Sequence, residues 1–133
     1  MTKSVRDDGG RVVVSERVEM SPSGPTRISE WRKSGEDSAF KVQVLGARAG
    51  DQIIRGMRLI RYSDGRWALV FGGTKECEIF SSGANIPYDS NCFDQKGARW
   101  SVTVVRVTEP IEQRGLAVES EWRLDLQILR SSD

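Results

Sequence analysis

The chain contains no histidine among its 133 residues. Histidine is the commonest general base, the commonest metal ligand and the side chain that changes its charge near neutral pH. Its absence excludes every catalytic arrangement that needs a histidine base, including the Cys–His pair. There are also only two cysteines, Cys77 and Cys92, which are too few for a cysteine-rich zinc site. We therefore expect no metal site and no cofactor.

The sequence also lacks an excess of charge of one sign and a long hydrophobic run. It has 20 Lys and Arg against 19 Asp and Glu, a formal net charge of +1. This balance excludes a protein whose affinity rests on overall charge, and it makes nucleic acid a poor candidate partner. No stretch approaches the 18 consecutive apolar residues that predict a transmembrane helix. With 38% hydrophobic and 29% charged residues, the composition is that of a globular domain.

Residues 1–10 lack the apolar segment of a secretory signal peptide. Because they end in Asp7-Asp8-Gly9-Gly10, we expect a flexible N-terminal tail, followed by one domain over residues 11–133. The compartment stays open at this point. The protein is expected to be cytoplasmic if Met1 is native. It is expected to be periplasmic or secreted if a leader was removed and the two cysteines are bridged.

Apolar residues recur at every second position through most of the chain, which is typical of β-strands. The alternation is clearest from Leu116 to Leu129, which predicts one long strand or two strands that break near Ser120. Near the N-terminus, Val12, Val14, Val18 and Met20 share one predicted apolar face. We expect an all-β single domain without a long helix, either an antiparallel β-sandwich or a small closed barrel of about eight strands. The distinction depends on whether the first and last strands pair.

The Asp64-Gly65 dipeptide between two β-rich segments is a strong hairpin signal. A two-residue turn at this position would place Tyr62 opposite Trp67 and Ile60 opposite Leu69. That register would put the apolar members on one face of the hairpin and direct Arg61 outward.

Cys77 and Cys92 are separated by 14 residues that are rich in turn formers. The spacing permits a disulfide and also permits two free thiols. Between them, residues 81–91 predict a long loop with Ile86, Pro87 and Tyr88 at its tip. A loop clamped at its base would present these residues to a partner protein, whereas an unclamped connection would fold Ile86 and Tyr88 back onto the core.

Two further groups of side chains are candidate binding residues. Arg58, Arg61 and Arg66 lie in a segment with excess positive charge, and arginine suits phosphate or carboxylate groups. The alternative is an ordinary solvated sheet face whose arginines pair with carboxylates. Trp31 lies next to a turn and is a candidate for stacking on a ligand, whereas Trp67, Trp100 and Trp122 lie on predicted core faces.

These features favour a protein that is not an enzyme and that acts through contacts with another protein or through self-association, as a structural subunit, an inhibitor or an adaptor. The alternative is a domain that binds a carbohydrate or another small ligand through Trp31, Tyr88 and nearby arginines. A second alternative is an OB-like barrel that binds single-stranded nucleic acid. The only catalytic motif, Ser38-x-x-Lys41, begins a predicted strand, whereas the chemistry of that motif needs a helical turn.

Overall fold

The computed structural model describes residues 2–6, 12–21, 24–33, 38–46, 52–54, 56–62, 64–108, 111–113, 116–119 and 122–131. Within these ranges the chain forms thirteen β-strands. They are β1 (Thr2–Arg6), β2 (Val12–Ser21), β3 (Gly24–Lys33), β4 (Ala39–Gly46), β5 (Gln52–Ile54), β6 (Met57–Arg61), β7 (Trp67–Phe71), β8 (Cys77–Phe80), β9 (Tyr88–Phe93), β10 (Arg99–Thr108), β11 (Ile111–Gln113), β12 (Leu116–Glu119) and β13 (Trp122–Arg130).

The strands form two sheets that pack face to face, so the predicted all-β sandwich is confirmed. The larger sheet has seven antiparallel strands in the order β1-β2-β3-β4-β13-β10-β9, and the smaller has four in the order β5-β6-β7-β8. Strands β11 and β12 pair as a separate ribbon. The larger sheet is open, because β1 and β9 lie at its opposite edges and do not pair with each other. The count exceeds the expected eight because several strands have only three to five residues.

The core lies between the two sheets and is built mainly from alternate residues of the strands that line it, as the period of two requires. Trp67, Leu69 and Phe71 from β7 face the larger sheet. They meet the inward residues of β4, β10 and β13, among them Val42, Val104 and Leu126. Trp67, predicted to lie in the core, is 1% exposed. Trp100 and Trp122 are half-buried and pack at the margin of the same core.

The smaller sheet covers only part of the larger one. Strands β1 and β2 lie beyond β3 at one side of the larger sheet, and the described core takes no residue from either. Residues 2–6, expected to be part of a flexible tail, instead form β1, which pairs with β2 from Thr2↔Arg17 to Arg6↔Val13. Residues 1 and 7–10 lie outside the described part of the chain. Strand β2 offers these residues a hydrogen-bonding edge, which the composition of the segment alone does not reveal.

The predicted hairpin forms, but its predicted register is wrong by one residue. The Tyr62 amide donates to the Arg66 carbonyl at 2.8 Å, and the Gly65 amide donates to the Tyr62 carbonyl at 3.0 Å. Three residues therefore separate Tyr62 from Arg66, where a two-residue turn was expected. Gly65 takes a φ of 91°, which favours glycine. Leu59 faces Leu69 and Arg61 faces Trp67, so every side chain of β6 lies on the face opposite to the predicted one.

A disulfide joins Cys77 and Cys92 and ties the two sheets together. Cys77 begins β8 at the edge of the smaller sheet, and Cys92 belongs to β9 at the edge of the larger sheet. Of the two states that the spacing permits, the structure therefore has the disulfide and not two free thiols. The predicted loop over residues 81–91 is shorter than expected, because its second half from Tyr88 onward pairs with β10.

The C-terminal alternation contains two strands. Strand β12 pairs with β11, whereas β13 lies between β4 and β10 at the centre of the larger sheet. The segment near Ser120, where a break was expected, lies outside the described residues. Across the described part of the chain, no helix has the length and apolar character needed to cross a membrane.

Candidate functional site

The outer face of the larger sheet, which points away from the smaller sheet, carries most of the exposed large hydrophobic side chains among the described residues. Six large hydrophobic side chains of the described residues are exposed, and five of them point outward from this sheet. Their partners in register establish the direction, because inward neighbours such as Val104 and Ile128 are buried. We call this surface the outer face. Its exposed apolar residues are Val18, Met20, Phe93, Val105 and Leu129.

The exposed fractions of these side chains are large. Met20 is 75% exposed, and Phe93 and Leu129 are each 54% exposed. Val105 reaches the outer face because the register of β10 shifts between Val104 and Arg106, which leaves Val105 opposite no residue of β13. Such a bulge redirects a side chain that strict alternation would place elsewhere.

A shallow groove of about 850 Å³ runs over the middle of the outer face. Trp31 of β3 forms one side and Leu129 and Val105 the other, with Lys41 and Gln127 between them. The pairing of β3, β4 and β13 determines where the groove lies, since Trp31 is opposite Lys41 and Lys41 is opposite Gln127. Trp31, predicted as a stacking residue next to a turn, is half-buried within a strand and lines this groove.

The outer face is also more basic than the chain as a whole. By register, the described residues of β2, β3, β4, β9, β10 and β13 place six basic and three acidic side chains on this face. One acidic group is already paired, because Arg123 donates to both carboxylate oxygens of Asp125 at 3.0 to 3.2 Å. The apolar side chains are thus interspersed with positive charge. The basic residues are Arg27, Lys33, Lys41, Arg99, Arg106 and Arg123, and the acidic ones are Glu16, Asp89 and Asp125.

The structure does not bring the three predicted arginines together. Arg58 and Arg66 lie on the exposed side of the smaller sheet. Arg61, predicted to point outward, points inward because of the shifted register. Its guanidinium carbon lies 4.0 Å from the ring centroid of Trp122 and 6.0 Å from that of Trp67. Arg61 therefore packs at the margin of the core through cation–π contacts.

Arg66 is held in a local network on its own sheet. Its Nε lies 2.8 Å from Asp64 Oδ2, its Nη1 lies 3.6 Å from Glu78, and its guanidinium covers the ring of Tyr62. The Arg66 hydrogen bond holds the pKa of Asp64 below its ordinary value, and Asp64 raises the pKa of Arg66. Tyr62 in turn donates to Glu76. Arg66 is thus paired with carboxylates of its own sheet, a solvated arrangement that contributes little to stability.

The loop before β9 presents fewer residues than its sequence suggested. Ile86 is 41% exposed and Pro87 is also exposed. Tyr88, expected to point outward, is half-buried, because its ring packs edge-on against Phe80 with centroids 6.1 Å apart. Tyr88 lies opposite Val104, whose side chain faces the core, so the strand register turns Tyr88 inward.

Sequence reasoning missed most of the outer face. The sequence places Val18 and Met20 on a predicted apolar face, but alternation separates two faces without indicating which one is covered. Val105 and Leu129 each interrupted an otherwise polar face in the sequence. Apolar residues at polar positions were the signal that pointed to this surface.

A second pocket, of about 590 Å³, opens at one end of the sandwich. Trp100 lines it, and the indole Nε1 donates to Asp94 Oδ2 at 3.0 Å. The other oxygen of Asp94 accepts from the backbone amides of Lys96 and Ala98, both at 2.9 Å. The hydrogen bond from Trp100 is the main reason why the pKa of Asp94 lies below its ordinary value.

Among the described residues, no three acidic or cysteine side chains lie close enough to hold a metal ion. No protein-family model, curated protein or solved structure matches the chain.

Proposed function

We propose that this protein is a binding domain that recognises another protein through the outer face. The observation that supports the proposal is that, in the part of the chain that the structure describes, five of the six exposed large hydrophobic side chains lie on one side of one sheet. Single exposed apolar residues are common on any protein, whereas a clustered set that a partner can cover is typical of interaction surfaces.

The extent of the surface favours a macromolecule over a small ligand. Met20 on β2 and Phe93 on β9 are separated by five strand intervals. At about 4.8 Å per interval, the apolar residues spread over roughly 24 Å across the strands. The register places Met20 near the Trp122 end of β13 and Phe93 near its Arg130 end, so the set also extends along the length of the strands. This width is comparable with one side of a protein interface, which buries about 800 Å² per partner.

The charge of the outer face indicates the chemistry of the partner. Six basic against three acidic side chains would repel a second copy of the same face. A partner whose surface carries carboxylates between apolar side chains would complement it. Trp31 and Leu129, on opposite sides of the groove, are the expected anchors, because aromatic and large apolar side chains at the centre of an interface contribute most to affinity.

The test uses a library of surface-displayed peptides selected on the intact domain. We expect the selected peptides to combine Asp or Glu with apolar residues. Their affinity, measured by fluorescence anisotropy, is expected to fall at least tenfold in Leu129→Asp and in Lys41→Glu. The matched control is Arg58→Glu, which reverses an exposed charge on the smaller sheet and is expected to leave the affinity unchanged.

Three results would contradict the proposal. One is a set of peptides that bind Leu129→Asp as tightly as the unmodified domain. Another is a concentration-dependent dimer in sedimentation that Leu129→Asp abolishes, since the outer face would then be a self-association surface. The third is an uncharged glycan that binds at Trp31 and is insensitive to Lys41→Glu, which would support the carbohydrate-binding alternative.

A further inference from the structure

The pocket at the end of the sandwich, which we call the end pocket, combines an aromatic platform with positive charge. It is separate from the outer face, because its lining side chains point inward or lie in the turn between β9 and β10. Its volume of about 590 Å³ falls in the range of small-molecule sites. The residues that matter here are Trp100, Gln95, Lys96 and Arg130.

The indole ring of Trp100 is fixed on several sides. Phe40 meets it edge-on and Phe71 at a 30° tilt, each with centroids 6.0 Å apart. Asp94 accepts the indole N–H. The ring is nevertheless only half-buried, so part of it remains available to the pocket. A ring held in this way can stack on a ligand without losing further side-chain freedom.

Positive charge lies next to this ring. Arg130 is the register partner of Trp100 on the neighbouring strand, which places their Cβ atoms about 5 Å apart. Lys96 lies in the turn at the pocket rim. None of the ion pairs formed among the described residues involves Arg130 or Lys96. Among the described residues that line the pocket, the one carboxylate is Asp94, which accepts two hydrogen bonds from its own turn and one from Trp100. Asp94 also lies near enough to Arg130 for that positive charge to help lower the pKa of Asp94, so a ligand carboxylate would share Arg130 with it.

The backbone at Gly56 leaves open space beside these groups, because no atom lies within 4 Å of the position that its Cβ would take. Gly56 and Gly72 both line the pocket. The side chain of Gln95 lies directly over Gly72, so closely that a Cβ on Gly72 would be 2.3 Å from the Gln95 amide nitrogen.

We infer that the end pocket binds a small ring compound that carries a carboxylate, with the ring stacked on Trp100 and the carboxylate between Arg130 and Lys96. Arginine suits this role because its planar fork donates two hydrogen bonds to one carboxylate. Sugar acids and aromatic acids share this chemistry, and both are included as probes. The inference does not depend on the proposed function of the outer face.

The test titrates D-glucuronate and benzoate, with D-glucose and benzyl alcohol as neutral counterparts, into the intact protein. Binding is followed by two-dimensional NMR, with the indole N–H resonance of Trp100 as the reporter. We expect at least one acid to shift that resonance with a dissociation constant of about 1 mM, the strength typical of so small a ligand. Its neutral counterpart is expected to bind at least tenfold more weakly.

Variants distinguish recognition of the carboxylate from a general effect of charge. Arg130→Gln is expected to weaken acid binding at least tenfold, as for loss of a charge-assisted hydrogen bond. Arg99→Gln removes an equal charge from the outward side of the adjoining strand and is expected to change nothing. The inference is overturned if neither acid shifts the Trp100 resonance up to about 20 mM. It is also overturned if the neutral counterpart binds equally well, or if Arg99→Gln weakens binding as much as Arg130→Gln.

Discussion

Removing the disulfide is expected to cost this domain much of its stability. The bridge joins residues 15 apart in sequence, so it closes a loop of known size in the unfolded chain. On the loop-entropy relation, that closure lowers the entropy of the unfolded state by about 10 cal/mol/K, or about 3 kcal/mol at 25 °C. Domains of this size have a total stability of about 5–15 kcal/mol, so the bridge supplies a large share.

The variant must not introduce a second cost. Cys92 is 1% exposed, and a serine at this position would bury a hydroxyl at a cost of about 1–3 kcal/mol. The double variant Cys77→Ala, Cys92→Ala avoids that cost. Urea unfolding followed by tryptophan fluorescence gives the free energy of unfolding with and without a reducing agent.

Reduction is expected to lower the stability of the unmodified protein by about 3 kcal/mol and to leave the double alanine variant unchanged. Equal unfolding midpoints for the oxidised and reduced protein would refute this reasoning. They would mean that the unfolded chain is already restricted in this region, or that the thiols are not joined in solution.

Three further changes test other parts of the fold. Gly65→Ala and Gly83→Ala both place a side chain at a residue with positive φ, and each is expected to lower the free energy of unfolding by about 1–2 kcal/mol. Gly65→Ala is expected to cost more, because its Cβ would lie 3.0 Å from a neighbouring side chain. Equal unfolding free energies for the two variants would contradict that difference. Trp67→Ala is expected to cost about 3–5 kcal/mol and Trp31→Ala less than about 1 kcal/mol, as measured by urea unfolding; similar losses would place Trp31 in the core. The pKa of Asp94 is lower in the folded protein than its ordinary value of 3.8. The charged carboxylate therefore stabilises the fold at any pH above 3.8, and this contribution is lost as the pH falls through the lowered pKa. Asp94→Asn should therefore show a smaller drop in melting temperature between pH 5 and pH 2 than the unmodified protein, and an equal drop would refute the assignment.

The fold class could be predicted because alternation is a local property of the sequence. The period of two in segments such as residues 122–130 marks a strand whatever lies around it. The hairpin register could not be predicted in the same way. Asp64-Gly65 fits both a two-residue and a three-residue connection, since each needs a glycine at positive φ. The one-residue difference reversed the direction of Arg61.

The candidate site was harder to predict than the fold because it depends on which strand lies over which. The pattern of β2 correctly separated Val18 and Met20 from Arg17 and Glu19. It could not show that this apolar side faces away from the smaller sheet, where nothing in the described structure covers it. Similarly, the spacing of Cys77 and Cys92 allowed a bridge, but only the placement of β8 beside β9 brought the two sulfurs together.

The unequal width of the two sheets has a consequence for the order in which the domain opens. The side chains of Ser15–Met20 on β2 are all exposed or half-buried, whereas Leu124, Leu126 and Ile128 on β13 are each 1% exposed. Separation of β2 from β3 therefore uncovers little apolar surface, whereas separation of β13 dismantles the core. Backbone amides of β2 should exchange with solvent deuterium through local opening, and those of β13 only through global unfolding. We therefore expect a slowly exchanging centre and an outer pair of strands, β1 and β2, that can detach while the centre stays folded.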